Sequence, residues 1–76
     1  MTDTVWTGRH PGVAHFEKLF AYSHLPSGIL RDTSAHLNAL ACTMVRTLPD
    51  GQELTAGLRK LLEAKDCFVR AALDAR

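Results

Sequence analysis

The chain has 76 residues, and its nine Lys and Arg against eight Asp and Glu give a formal net charge of +1. Such a balance provides no long-range positive field, which argues against binding to duplex nucleic acid. The sequence has neither the run of roughly 18 apolar residues that a membrane span needs nor the basic and apolar regions of a signal peptide. We therefore expect one cytoplasmic domain over residues 1–76, with a core small enough to favour assembly into an oligomer.

The N-terminal third predicts an arm and one short helix. Residues 1–12 show no helical period and end in a turn-rich stretch, which is typical of an arm. Residues 13–21 carry apolar side chains at helical spacing, which predicts a short amphipathic helix. The chain then breaks at residues 22–28, because Leu25 precedes Pro26 and a residue before proline disfavours the α region.

Two long helices are predicted over residues 27–47 and 51–75. The first carries a row of positions at alternating spacings of four and three residues, the period of one helix face, made by Leu30, Ser34, Leu37, Ala41, Met44 and Leu48. The second helix is predicted to begin with Asp50 as its N-cap and Glu53 three residues later, as in a capping box. The predicted fold class is therefore all-α, a short N-terminal helix followed by a two-helix antiparallel hairpin.

The apolar faces of these helices are wider than one partner helix can cover. Exposed apolar surface of this kind usually marks an interface, so we expect the hairpin to assemble into a homo-oligomer. The residues left in water by a lone pair of helices would be Leu62, Val69 and Leu73, or the equivalent Leu40 and Val45.

The sequence contains none of the common catalytic motifs, so we expect no catalytic residue, metal or cofactor. Asp32 and His36 lie one helical turn apart, but a single pair of this kind is a weak metal signal. Cys42 and Cys67 fall on different helices, about ten residues out of register, or ~15 Å at the helical rise. A disulfide needs Cα atoms within ~7 Å, so we expect two free thiols.

Lys65 interrupts the apolar stripe of the second long helix between Leu61 and Phe68. One interpretation is that its ammonium reaches solvent at the edge of the stripe while its stem packs on apolar surface. The other is that the ammonium is held in a subunit junction to bind an anionic ligand, with Asp66 and Arg70 beside it to steer or neutralise the charge. The sequence leaves both interpretations open.

Residues 22–31 form a second unusual segment, with Tyr22 and His24 just before the first long helix and Arg31 in its first turn. The N–H groups and dipole at a helix N-terminus favour phosphate, and an aromatic or imidazole ring can stack on a base. The alternative is that Tyr22 and Leu25 only staple the short helix to the hairpin. The physical arguments favour neither.

Several segments between residues 20 and 73 are similar to one known family. The matching residues are Phe20, Ala21, Tyr22, His24, Pro26 and Arg31, the block 48–53, and the blocks 58–66 and 70–73. In these segments the chain resembles the phage-encoded helical-hairpin sponges that sequester cyclic-nucleotide immune signals, a hairpin domain shared by anti-CBASS and anti-Thoeris proteins.

The resemblance implies a homo-oligomer, commonly a hexamer, whose pockets between protomers bind cyclic di- and trinucleotides without cleaving them. It implies that Tyr22 stacks on a base and that Arg31 contacts phosphate. Arginine departs from the lysine common near that position in the family, but it suits bidentate phosphate contact. Such a sponge would serve immune evasion in the host cell cytoplasm. The expected ligand-binding residues are Tyr22, His24, Arg31, Lys65 and Arg70.

Two other functions compete with this hypothesis. The chain is alternatively a non-catalytic interaction module whose apolar face binds a helix of another protein, which predicts a monomer or loose dimer. A helix-turn-helix DNA binder needs a short turn into a basic recognition helix, whereas both long helices here carry mixed charge.

Overall fold

A computed structural model of the chain describes residues 4–26 and 28–75. Every regular element in these residues is an α-helix, which confirms the all-α fold class. None of the helices in this part of the chain is long and apolar enough to cross a membrane. The elements are α1 (Pro11–Ala14), α2 (Phe16–Leu19), α3 (Ile29–Thr47) and α4 (Gln52–Ala75).

The two long helices have clear local causes for their ends. Gly28 precedes α3 with a φ of 107°, a left-handed conformation that glycine adopts without the penalty of a Cβ. The helix therefore begins at Ile29, after the non-helical Gly28 that the prediction included, and the predicted first residue Ser27 lies outside the described residues. Leu48 is extended, with φ −117° and ψ 148°, as a residue before proline should be, so α3 ends at Thr47 as predicted. Helix α4 begins one residue after the predicted position 51.

The predicted helix over residues 13–21 is replaced by two four-residue helices, α1 and α2. Helix α1 begins earlier than expected because Pro11 occupies its first turn, where the fixed φ of proline suits a helix. His10 is its N-cap, and His10 Nδ1 accepts a hydrogen bond of 2.9 Å from the Gly12 N–H. Helix α2 ends at Leu19, and Phe20 follows as its C-cap.

The N-terminal segment that the sequence predicts as an arm contributes to the core. Trp6 is only 3% exposed, and its ring stacks on Phe20 with centroids 6.4 Å apart. A single buried tryptophan leaves no periodic signal in a sequence, which is why periodicity gives no hint of this packing. The buried core cluster consists of Trp6, Val13, Phe16, Phe20, Ala41, Val45, Leu54 and Leu58.

Asp50 joins this N-terminal segment to the connection between α3 and α4 instead of capping α4. Its Oδ1 accepts a hydrogen bond of 2.7 Å from Arg9 Nε, and its Oδ2 accepts one of 3.0 Å from the His10 N–H. The first carbonyl to receive a bond within α4 is that of Gly51, from the Thr55 N–H. The bonds that the Asp50 carboxylate accepts in the described residues come from Arg9 and His10 and none comes from an N–H of α4, so the predicted capping box is wrong.

Arg9 binds the end of α3 as well as Asp50. Its guanidinium donates to the Val45 carbonyl and, at 2.8 Å, to the Leu48 carbonyl. The last carbonyls of a helix have no partner within it, so a cation is favourable there by hydrogen bonding and by the helix dipole. We call Arg9, Asp50 and these two carbonyls the Arg9 clasp.

Helix α3 packs mainly against α4, and α1 also packs on α4. Cys42 on α3 is half-buried and Cys67 on α4 is exposed, and both are free thiols. The N-terminal segment and α1 thus lie on a pair of long helices, and the end of α2 meets the second half of α4 through Lys65.

Candidate functional site

Three of the five predicted ligand-binding residues line one cavity of about 240 Å³. They are His24 from the connection between α2 and α3, and Lys65 and Arg70 from α4. We call this space the Lys65 cavity. Its other lining residues are Ala21, Leu25, Ser34, Asp66 and Val69.

The helical repeat explains why α4 contributes four side chains to this cavity. Lys65 and Asp66 are followed at i+4 by Val69 and Arg70, and residues four apart lie one above the other on a helix. The chain leaves helical structure at Phe20, and the irregular connection between α2 and α3 carries His24 past this face. One face of α4, the α2–α3 connection and α3 therefore all line this cavity.

Lys65 is fixed by the end of α2. Its Nζ donates a hydrogen bond of 2.6 Å to the Leu19 carbonyl and lies 5.9 Å from the centroid of the Phe20 ring. Leu19 is the last residue of α2, so its carbonyl lacks a continuing helix to bond it. Lys65 is half-buried, and its ammonium is held between a carbonyl oxygen and an aromatic face.

Ser34 is the most deeply buried residue of the cavity lining. Its exposed fraction is 0%, and its Oγ has no hydrogen-bond partner in the described residues. A buried hydroxyl without a partner costs roughly 1–3 kcal/mol. Sequence reasoning placed Ser34 among the apolar positions of α3 but assigned it no role. The sequence did contain a sign that Ser34 is unusual, because it has a hydroxyl at a position where the helical period predicts an apolar side chain.

The mouth of the cavity carries more positive than negative charge. His24, Asp66 and Arg70 are all exposed, whereas Lys65 is half-buried. The charges of Lys65, Arg70 and Asp66 sum to +1 when His24 is counted as neutral. Of these charged groups, the ammonium of Lys65 is the one that a hydrogen bond to the Leu19 carbonyl holds in place.

Tyr22 and Arg31 are not brought to this cavity. Tyr22 is half-buried and lines a second cavity of about 430 Å³. Ala21 lines both cavities, so the two spaces lie on either side of one residue. Arg31 is half-buried near the start of α3 and lines neither of them. Other residues around the Tyr22 cavity include Trp6, Glu17, Asn38, Cys42 and Arg46.

A third feature is an apolar groove of about 640 Å³ at the other end of the long helices. It lies where α3 ends and α4 begins, next to the exposed side chains of Leu40 and Leu48. Its apolar side chains are Leu40, Met44, Leu48, Pro49, Leu54, Leu58 and Leu61.

No group of three or more His, Cys, Asp and Glu is arranged to hold a metal ion in the described part of the chain. Comparisons with protein-family profiles, with curated proteins and with solved structures find no match to this chain. The resemblance to phage sponges therefore rests on the residues quoted from the sequence, and the function has to be argued from the geometry of the cavities.

Proposed function

We propose that this protein is a non-catalytic sponge that binds and sequesters cyclic di- or trinucleotides, as a phage protein of immune evasion acting in the host cell cytoplasm. The observation that supports it best is the convergence on one cavity of His24 from the α2–α3 connection with Lys65 and Arg70 from α4. A phosphodiester offers oxygen atoms that accept hydrogen bonds from the ammonium and guanidinium groups.

The proposal gives Tyr22 a role next to this cavity. Because Ala21 lines both the Lys65 cavity and the Tyr22 cavity, a ligand whose phosphate lies near Lys65 can direct a base toward the Tyr22 ring. Stacking on an aromatic ring is tolerant of base identity, which suits a protein that binds several cyclic nucleotides. Sequestration needs only these donors and stacking surfaces.

The proposal includes an antiparallel α3–α4 hairpin that assembles into a homo-oligomer, a hexamer by resemblance. Apolar side chains exposed on both long helices support this assembly, since surface of this kind usually marks an interface. In such an assembly Arg31, which lines neither cavity of its own chain, would contact a ligand held by a neighbouring protomer. The large apolar residues exposed on the two helices are Ile29, Leu40, Phe68 and Leu73, and outside them Leu19 and Leu48 are exposed as well.

The apolar groove favours a second candidate, an interaction module that binds a helix of another protein. Its lining is dominated by leucine, and grooves of this composition accept the apolar face of an amphipathic helix. In this case the free chain is a monomer or loose dimer, and the groove closes only when the partner binds.

Calorimetric titration with a panel of cyclic di- and trinucleotides tests the sponge, at a protein concentration where light scattering gives the mass of an oligomer. We expect saturable heat with at least one ligand, and intact ligand recovered after the complex is heated. If no ligand of the panel gives heat of binding, the sponge is contradicted. If, in addition, light scattering gives the mass of a monomer, the result supports the interaction module.

Two substitutions connect the binding to the residues. Tyr22→Ala should weaken binding by roughly 1–3 kcal/mol if the ring stacks on a base. Lys65→Met should weaken it by about 2 kcal/mol because it removes a charge-assisted hydrogen bond. The matched control is Lys60→Met, which removes an exposed lysine of the same helix and should leave the affinity unchanged. Equal losses of affinity in Lys65→Met and Lys60→Met would show that binding depends on the overall positive charge and not on the position of Lys65.

A further inference from the structure

The Tyr22 cavity carries two side chains of opposite charge that do not pair with each other. Glu17 at the start of α2 and Arg46 near the end of α3 both line this cavity, and both are exposed to solvent. Among the residues that the structure describes, the ion pair joins Arg9 to Asp50, and neither Glu17 nor Arg46 forms one. A carboxylate only accepts hydrogen bonds and a guanidinium only donates them. One ligand in this cavity therefore meets both an acceptor and a donor.

The Glu17 carboxylate is connected to the core by two hydrogen bonds. Its Oε2 accepts one of 3.2 Å from Thr4 Oγ1, and Thr4 Oγ1 in turn accepts one of 3.2 Å from the Trp6 N–H. Trp6 is buried and stacks on Phe20, so these contacts fix the position of the acceptor. The bond from Thr4 uses Oε2, which leaves Oε1 for a ligand.

The walls of the cavity provide an aromatic ring and one row of α3. Tyr22 is half-buried, and its carbonyl accepts a hydrogen bond of 3.0 Å from the Leu25 N–H, which holds its backbone in a turn. On α3, Asn38, Cys42 and Arg46 follow each other at spacings of four residues, so they lie along one side of the helix. The cavity volume of about 430 Å³ falls in the range of small-molecule sites, about 300–1,000 Å³.

The edges of a base decide which base such a cavity accepts. Stacking on the Tyr22 ring is tolerant of base identity, so it does not discriminate. Guanine presents the acceptors O6 and N7, which suit an arginine, and next to them the donors N1–H and the N2 amino group, which suit a carboxylate. Adenine has an amino group in place of O6 and an acceptor in place of N1–H, so it opposes donor to donor at Arg46 and acceptor to acceptor at Glu17.

We propose that the Tyr22 cavity is a guanine subsite, in which Glu17 accepts hydrogen bonds from N1–H and the N2 amino group and Arg46 donates to O6 and N7. The ring of Tyr22 stacks on the base. This inference rests on the proposed sponge and adds a preference to it, namely for cyclic nucleotides that contain guanine. Glu17 and Arg46, which sequence reasoning did not single out, become the residues that determine specificity.

The test is an NMR titration of the full chain with the 5′-monophosphates of guanosine, inosine and adenosine, which share the same sugar and phosphate. We expect the guanosine nucleotide to give saturable shifts of the Glu17, Tyr22 and Arg46 signals. The inosine nucleotide lacks only the N2 amino group and should bind about tenfold more weakly, since it loses one hydrogen bond to a charged group. The adenosine nucleotide should bind no more tightly than the inosine one.

Two substitutions assign the preference to the charged residues. In Glu17→Gln the advantage of guanosine over inosine should fall from about tenfold to less than about threefold, because a neutral amide accepts more weakly than a carboxylate. A role of Glu17 in folding alone would leave this ratio unchanged. Arg46→Met should weaken binding of the guanosine nucleotide about tenfold. The matched controls are Glu63→Gln and Arg59→Met, exposed residues of α4 outside this cavity, which should change neither the affinity nor the ratio.

Several outcomes overturn the guanine subsite. Equal affinities for the three nucleotides, or unshifted Glu17 and Tyr22 signals, remove the base from this cavity. An unchanged ratio of guanosine to inosine affinity in Glu17→Gln removes Glu17 as its reader, and equal losses in Arg46→Met and Arg59→Met assign the effect of Arg46 to overall charge. Circular dichroism of each variant shows whether the helices persist.

The subsite and the sponge fail in different experiments. If cyclic dinucleotides that contain only adenine bind as tightly as those that contain guanine, the sponge stands and the guanine subsite is wrong. If the guanosine nucleotide binds in the Tyr22 cavity with the expected preference while no cyclic nucleotide of the panel binds, the subsite stands and the sponge is wrong.

Discussion

Two basic side chains tie different parts of the N-terminal region to the long helices, and they do so in different ways. Arg9 binds a carboxylate and two carbonyls at the junction of α3 and α4. Lys65 binds one carbonyl, that of Leu19, in the second half of α4. Arg9 and Asp50 form an ion pair, whereas Lys65 forms none with the residues that the structure describes.

The difference separates a structural contact from a site that can still bind. In the Arg9 clasp the charge is neutralised by Asp50, and three bonds use the guanidinium fork. In the Lys65 cavity the charge is retained, two donors of the ammonium are free, and a buried hydroxyl has no partner in the described chain. A saturated polar cluster stabilises a fold, whereas an unsaturated one costs stability that a ligand can restore.

Removal of the clasp should give the largest effect on stability. Arg9→Met deletes the hydrogen bonds to the carbonyls of Val45 and Leu48, and we expect a loss of about 2 kcal/mol in the free energy of unfolding. Urea denaturation followed by circular dichroism measures it. The matched control is Arg59→Met, an exposed arginine of α4, which should cost at most about 0.5 kcal/mol.

The same variant sharpens the contrast between the two regions. Because the clasp lies away from the Lys65 cavity, Arg9→Met should leave the affinity for a cyclic nucleotide unchanged once the protein is folded. A parallel loss of stability and affinity would instead mean that the clasp shapes the cavity, and the division into structural and binding regions would be wrong.

Acid should weaken the clasp and leave the neutral hydroxyl of Ser34 untouched. The His10 N–H and then the Arg9 guanidinium hold the pKa of the Asp50 carboxyl below its ordinary value of 3.8, and desolvation opposes them only in part. A carboxyl with a lowered folded pKa contributes stability above its unfolded pKa and loses it as pH falls through the folded pKa. Stability contributed by Asp50 should therefore be constant near neutral pH and decline below about 3.8.

Thermal unfolding measured from pH 7 to pH 2 checks this expectation against Asp50→Asn. The variant should unfold at a lower temperature than the wild type at neutral pH, and the gap between them should narrow as the pH falls below 3.8. A constant gap at every pH would show that the Asp50 charge contributes nothing and that its role is only geometric.

The two regions also differ in how far they could be predicted from the sequence. The apolar period and Pro49 sufficed for α3 and α4, since both signals are local. The clasp was missed because Asp50 and Glu53 form a convincing local capping pattern, and the pairing with Arg9 spans 41 residues of chain. A contact over that distance depends on how the N-terminal segment packs, about which periodicity says nothing.

The candidate site was predicted in part for a similar reason. Arg70 lies four residues after Asp66, which adjoins Lys65, so the period of α4 alone places Lys65 and Arg70 on either side of one stretch of the helix surface. Tyr22 and His24 are two residues apart in an irregular segment, where no period fixes direction, and they line different cavities. Ser34 was passed over because serine is small enough to fit an apolar stripe, and only the structure shows its hydroxyl buried and without a partner among the described residues.

The smallest expected effect is also the one that bears most closely on the comparison. Ser34→Ala removes a buried hydroxyl that makes no hydrogen bond within the described chain. The free energy of unfolding should therefore not fall, and we expect it to rise by up to about 1 kcal/mol. Urea denaturation of the free protein measures this. A clear loss of stability would mean that the hydroxyl is already bonded in solution, and the cavity would then be as saturated as the clasp.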